Sequence, residues 1–112
     1  MIKTRRPRVY IINDSGHNFN KAKKYGDLVF LTKGRVASYK VTQHFRVFAE
    51  QMNDACKDDY ILVTSLGSMN AIAGWIMGSL GFPLNLLLHI QKGDKYMIRR
   101  LQNNLLNEDK EV

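Results

Sequence analysis

Two short polar segments carry the side chains that could do chemistry in this chain. Residues 14–18 read DSGHN, and residues 64–70 read TSLGSMN and stand between a buried strand and an apolar helix. The first turn of a helix leaves backbone N–H groups unpaired and carries partial positive charge, so a strand–turn–helix of this type can bind an anion. Gly16 and Gly67 can adopt positive φ and let a ligand approach the backbone. These segments predict a site for a phosphate-bearing ligand.

The first segment also holds the residue types of nucleophilic catalysis. Asp14 or His17 could act as a general base on Ser15, but a nucleophilic serine needs a base that a third group holds in place. An Asx-type turn with an exposed histidine accounts for the same residues. We therefore predict no catalytic residue and favour a binding protein over an enzyme.

The second segment matches neither of two common phosphate-binding fingerprints. It lacks the GK[ST] ending of a P-loop, and the chain has no GxGxxG dinucleotide motif. A purely structural interpretation stays open, in which Ser68 caps the helix and Gly67 turns the chain.

The chain offers few ligands for a metal ion. His17, His44, His89 and the single cysteine, Cys56, are far apart in sequence and show no zinc-type spacing, so we predict no metal site and no cofactor. We expect His44 on the surface of a helix and His89 at a strand end. Trp75 lies in an apolar helix, which predicts a core position.

The composition is that of one globular domain with a basic surface. The chain has 112 residues, of which 45% are hydrophobic and 24% charged, and its formal net charge is +7. This charge favours polyanionic partners such as nucleotides or nucleic acid, although it also serves solubility. A single cysteine without a secretory signal favours the cytoplasm, which would be the host cytoplasm if the protein is viral.

Apolar patterns predict an α/β fold of order β-α-β-α-β-α-β-β. The predicted strands are residues 8–13, 27–32, 60–65, 84–90 and 95–101. The first and third predicted helices are residues 19–25 and 70–80. The second predicted helix begins after its cap, Ser38, and ends before Asp58. Strands that alternate with helices favour a mainly parallel sheet with helices on both faces. We therefore predict a small Rossmann-like three-layer sandwich with a C-terminal β-hairpin. Residues 1–102 would form this domain and residues 103–112 a polar tail.

Two apolar features need an explanation. The helix after Ser38 has one predicted core face, formed by Val41, Phe45, Phe48, Met52 and Ala55. No Asp, Glu, Lys or Arg occurs from residue 60 to residue 91, which is long enough to span a membrane. Pro83 interrupts this run and favours a buried helix followed by a buried strand.

The candidate site depends on the order of the strands. In an open parallel sheet, ligands bind beyond the carboxyl ends of the strands, where the order reverses. With the order 2-1-3-4, the turns after strands one and three line one crevice, and the turn after strand two adds two cations. The predicted ligand-binding residues are Asp14, Ser15, Gly16, His17, Asn18, Lys33, Arg35, Thr64, Ser65, Gly67, Ser68 and Asn70.

Nucleic acid and protein are the alternative partners. The candidate phosphate contacts are Arg5, Arg6, Arg8, Lys21, Lys23, Lys24, Arg99 and Arg100, but no recognised nucleic-acid-binding motif accompanies them. Gly74 and Gly78 would allow a close approach to the apolar helix, which could dock to a second copy or to a host protein. We expect a homodimer.

Three stretches carry a resemblance to known proteins. Residues 13–18 (NDSGHN), 26–32 (GDLVFLT) and 59–70 (DYILVTSLGSMN) are similar to small uncharacterised proteins encoded by bacteriophages, over most of the chain. The order of elements also resembles minimal Rossmann-like sensor domains, such as the CRISPR-associated CARF domains. That resemblance implies a cyclic oligonucleotide bound by the turns after strands one and four, across a dimer. It is a likeness of architecture and implies no specific activity.

Overall fold

Five strands form one mixed sheet in the computed structural model, which describes residues 5–102. The elements are β1 (Arg8–Ile11), a 3₁₀-helix (Asn20–Lys24), β2 (Asp27–Phe30), α1 (Val41–Gln51), β3 (Tyr60–Leu62), α2 (Gly67–Ser79), β4 (Leu84–Ile90) and β5 (Lys95–Leu101). The predicted polar tail, residues 103–112, lies outside the described residues. The protein is thus a mixed α/β fold, as the alternation of elements predicted.

The sheet has the strand order β2-β1-β3-β4-β5. The first three neighbouring pairs are parallel, and β5 runs antiparallel to β4, from which residues 91–94 separate it. In the register of the sheet, Ile11 pairs with Leu62, and Leu62 pairs with Leu87. The strand order is the one on which the predicted site depends, because it makes β1 and β3 neighbours.

The two faces of the sheet are covered differently. On one face, Tyr10 and Ile61 pack against buried residues of the two α-helices, among them Phe48 and Met77. On the other face, Ile11, Leu62 and Leu87 pack with Ala22 of the 3₁₀-helix. Aromatic side chains then extend this second cluster, namely Phe19, Tyr25, Phe30, Tyr60 and Tyr96. Both α-helices therefore lie on one face, and a single short 3₁₀-helix with aromatic side chains covers the other.

The predicted core face of α1 is confirmed in its second half and wrong in its first half. Phe48, Met52 and Ala55 are buried as expected, but the exposed fractions of Val41 and Phe45 are 46% and 42%. The buried partner one turn before Phe48 is instead His44, whose exposed fraction is 8% and whose Nε2 lies 2.9 Å from the carbonyl oxygen of Ala37. The prediction of a surface His44 was therefore wrong. A polar side chain can take a core position when a backbone group satisfies it.

Helix α2 is buried on one side only. Met69, Ala73, Ile76 and Met77 are buried, whereas Trp75 keeps 69% of its surface exposed. The prediction of a core Trp75 was wrong, because uniform hydropathy does not say which side of a helix faces the sheet. The described residues contain no helix that is long and apolar enough to cross a membrane.

The fully buried carboxylate of Asp59 links the start of β1 to the start of β3 through hydrogen bonds. Both guanidinium nitrogens of Arg5 donate to Asp59, at 3.0 and 2.8 Å. The backbone N–H groups of Arg8 and Cys56 donate to the same carboxylate at 2.9 and 2.8 Å. Four donors thus compensate the desolvation of one buried charge, and they hold the amino ends of the central strands together.

Candidate functional site

A cleft of about 560 Å³ opens at the carboxyl ends of β1, β3 and β4. Ligand pockets in proteins commonly enclose roughly 300–1,000 Å³. The loop after β1 and the loop after β3 meet here, and the start of β5 closes the third side. The lining residues are Asn13, Ser15, His17, Asn18, Phe19, Leu62, Val63, Thr64, Ser65, Leu66, His89, Gln91, Asp94 and Tyr96.

Local hydrogen bonds shape the loop after β1. The Gly16 N–H donates to the Asp14 carboxylate at 3.2 Å, and Gly16 has a φ of 97°, which favours glycine. The Asn20 N–H donates to Oδ1 of Asn18 at 2.8 Å and starts the 3₁₀-helix. His17 packs edge-on against Phe19 and, within residues 5–102, makes no hydrogen bond to Asp14 or Ser15. The geometry therefore contains an Asx-type turn, and no nucleophile–base pair is assembled in it.

Asn70 holds the loop after β3 in its conformation. Its Oδ1 accepts from the N–H of Thr64 at 3.2 Å and from the Thr64 hydroxyl at 3.4 Å, and its Nδ2 donates to the carbonyl of Thr64 at 2.7 Å. The Thr64 hydroxyl oxygen accepts from the N–H of Leu66 at 3.2 Å. Asn70 thus supports the cleft wall from behind and does not line it.

The start of α2 uses most of its own backbone donors. The N–H of Gly67 donates to Ser65, and those of Met69 and Asn70 donate to Leu66, at 3.0 to 3.1 Å. Gly67 is the first residue of the helix and does not have positive φ, contrary to the role predicted for it. The Ser68 hydroxyl donates to the carbonyl of Ser38 at 2.9 Å, so it does not cap the helix. The predicted anion cradle at residues 67–70 is therefore largely occupied by internal hydrogen bonds.

The third wall comes from β4, β5 and the turn between them. Nε2 of His89 lies 2.9 Å from Oδ1 of Asp94, and the Lys21 ammonium lies 2.9 Å from Oδ2. These hydrogen bonds, with His89 first, lower the pKa of Asp94. His89 also packs against the ring of Tyr96, with ring centroids 5.4 Å apart. Sequence reasoning did not include this wall, although an Asp five residues after a His across a turn was a visible signal.

The predicted site residues separate into two groups. Five of them line the cleft, namely Ser15, His17, Asn18, Thr64 and Ser65. Asp14 and Lys33 instead form a bridge between the loops after β1 and β2, and the Gly34 N–H donates to the Asp14 carbonyl at 2.9 Å. The remaining predicted residues, Gly16, Arg35, Gly67, Ser68 and Asn70, do not line the cleft either.

The charge of the cleft differs from that of the whole chain. Its lining includes no lysine and no arginine, and Asp94 brings one carboxylate. Three arginines are paired away from the cleft, Arg5 with Asp59, Arg6 with Asp27 and Arg8 with Asp54, and Lys21 is paired with Asp94 of the lining. The net charge of +7 is therefore not concentrated at the cleft.

No known protein family, curated protein or solved structure matches this chain.

Proposed function

We propose that this protein binds a nucleotide or another phosphate-containing small molecule in the cleft at the carboxyl ends of β1 and β3. The position of the cleft carries this proposal. In doubly wound sheets the ligand lies at the point where the strand order reverses, and here that point is the β1–β3 boundary. Hydroxyl and amide side chains from both loops reach the cleft, and its volume suits one nucleotide.

The same proposal includes the finer description of the fold. We interpret the sheet as a reduced Rossmann-like sandwich in which the 3₁₀-helix and its aromatic neighbours stand for the third layer. The antiparallel β4–β5 pair, joined through residues 91–94, would be a terminal hairpin that closes the cleft. This arrangement supports a site with three walls.

Calorimetry against a panel of mono-, di- and cyclic nucleotides tests the proposal. A bound ligand should give saturable heat with the wild type and none with Ser65→Trp, whose indole would fill the cleft from an exposed position. Ser79→Trp places the same side chain at an exposed position on α2, outside the cleft, and should bind like the wild type. The absence of heat with every nucleotide would overturn the proposal.

Nucleic acid remains the alternative, and the ion pairs weigh against it. Four of the eight basic residues proposed as phosphate contacts, Arg5, Arg6, Arg8 and Lys21, have carboxylate partners. Binding to DNA or RNA would fall steeply with salt because counterions are released from the phosphates. A gel shift at low salt that is lost at high salt would favour this alternative over the nucleotide proposal.

A specific surface favours self-association as a second function. The exposed side of α2 carries Ser68, Ala71, Trp75 and Gly78, and the exposed Leu80 follows directly after the helix; none of these side chains is charged. A Cβ added at Gly78 would meet nothing within 4 Å, so packing within the chain does not require glycine there. Trp75 beside two small residues could pack on the same face of a second copy about a two-fold axis. Sedimentation should show a dimer for the wild type and a monomer for Trp75→Glu; a monomeric wild type would contradict this function.

A further inference from the structure

Aromatic rings form two opposite walls of the cleft. On the β1 side, His17 packs edge-on against Phe19 at 6.3 Å, and Phe19 packs on Phe30 of β2 at 5.9 Å. On the other side stand His89 and Tyr96. His17 and Phe19 follow β1, whereas His89 lies on β4 and Tyr96 on β5, and β3 lies between β1 and β4 in the sheet. A planar ligand ring that enters between the walls can contact aromatic surface on both sides.

The floor between these walls is apolar. Leu62 is buried and belongs to the same cluster as Phe19 and Tyr96, and Val63 lines the cleft beside it. Polar groups stand at the margin, where Asn18 Nδ2 and the side-chain amide of Gln91 make no hydrogen bond with another residue of the range 5–102. Apolar faces with amide groups at their edges fit a heterocycle that carries ring nitrogens and exocyclic groups.

Charge in the cleft does not favour the phosphate. The lining contains no lysine or arginine, and the ammonium of Lys21, which contacts the lining residue Asp94, is paired with that carboxylate. His89 faces Asp94 and Tyr96, with Lys21 on the far side of Asp94, and His17 faces Phe19. Asp94 supplies the one carboxylate of the lining and Lys21 is paired with it, so a phosphate gains little attraction from the lining.

We propose that the cleft recognises the heterocyclic base of a nucleotide and that the phosphate adds little to the affinity. This inference rests on the proposed function and specifies which part of the ligand is held. The uncharged nucleoside keeps the base, so it should bind about as tightly as the nucleotide.

Calorimetry at one neutral pH separates the contributions of the base and of the phosphate to the affinity. A nucleoside, its 5′-monophosphate and inorganic phosphate serve as probes. The nucleoside and the nucleotide should bind within about threefold of each other, and inorganic phosphate should give no heat.

The outcomes distinguish this inference from the proposed function. Binding of the nucleotide without the nucleoside, or of inorganic phosphate as tightly as the nucleotide, overturns the base-recognition inference and leaves the proposed function in place. The absence of binding by all three probes overturns both.

Two sets of variants test the walls separately. Tyr96→Leu should weaken the nucleoside and the nucleotide alike, by about tenfold or more, because stacking on one aromatic side chain contributes that much per base. Tyr39→Leu removes an exposed tyrosine outside the cleft and is the matched control. His17→Leu removes an aromatic ring from the other wall and should weaken both ligands as well; unchanged affinities in both variants contradict stacking between the walls.

Discussion

Nε2 of His89 and Oδ1 of Asp94 lie 2.9 Å apart across the turn between β4 and β5. The second oxygen of the same carboxylate accepts from the Lys21 ammonium at 2.9 Å, and Lys21 also donates to the Asp94 carbonyl at 2.8 Å. Asp94 adopts positive φ, at 46°, which an aspartate tolerates better than most residues. One turn residue therefore links β4 to the 3₁₀-helix and defines the open end of the cleft.

Asp94→Asn should lower thermal stability at neutral pH and have no effect in strong acid. His89 and Lys21 hold the pKa of Asp94 below its usual value, so this carboxylate stabilises the folded protein above its unfolded pKa. That contribution disappears as pH falls through the lowered folded pKa. Unfolding midpoints of wild type and variant, measured by circular dichroism from about pH 7 to about pH 2, should therefore converge at the acidic end.

Asp58→Asn is the control for this pH series, because Asp58 is exposed and makes no ion pair with the residues that the structure describes. An equal difference between wild type and Asp94→Asn at every pH would contradict a titrating contribution from Asp94.

Asp59→Asn should cost about 3 kcal/mol of unfolding free energy, since it breaks a buried ion pair and leaves Arg5 without its partner charge. The Asp59 side chain is fully buried and accepts from four donors, so water cannot replace the lost interactions. Urea unfolding followed by circular dichroism measures the loss.

Asp27→Asn is the matched substitution, because Asp27 also pairs with an arginine but on the surface. Exposed pairs of this kind contribute about 0–1 kcal/mol. Equal losses for the two variants would show that burial does not determine the strength of the Arg5–Asp59 contact.

Asn70→Ala should destabilise the protein by about 1–3 kcal/mol and weaken binding in the cleft. The substitution leaves the partly buried N–H and C=O of Thr64 without their partner, and it releases the loop that forms one wall. Urea unfolding and calorimetry with the bound nucleotide measure the two effects. Asn53→Ala removes an exposed asparagine at the end of α1 and should change neither quantity; unchanged stability of Asn70→Ala would remove Asn70 from its supporting role.

Trp75→Ala should lower the stability of the monomer by less than about 1 kcal/mol, although tryptophan is the largest side chain. Most of the Trp75 surface already contacts solvent. Phe48→Ala, at a fully buried position on α1, should cost about 3–5 kcal/mol. Denaturant unfolding at a concentration where the protein is monomeric compares them, and a loss at Trp75 as large as that at Phe48 would show that the indole packs within one chain.

The local sequence was sufficient to predict where β4 and β5 begin and end. Strands β4 and β5 begin and end where the pattern predicted, because a short polar turn containing Gly93 separates two apolar runs. The local sequence was insufficient to predict which face of a helix packs on the sheet. Both Phe45 and His44 lie one turn before Phe48, at offsets of three and four, and the docking angle of α1 on the sheet decides which of them is buried.

For the candidate site, the sequence by itself determined that polar loops follow β1 and β3, since each loop ends a run of apolar residues with small polar side chains and glycine. Only the tertiary structure decided which side chains share the cleft. Because β5 pairs antiparallel with β4, Asp94 and Tyr96 lie beside His89 in the cleft. Gly67, Ser68 and Asn70 make internal hydrogen bonds and do not line the cleft. Contacts between residues distant in sequence depend on how the elements pack, and no local pattern records that packing.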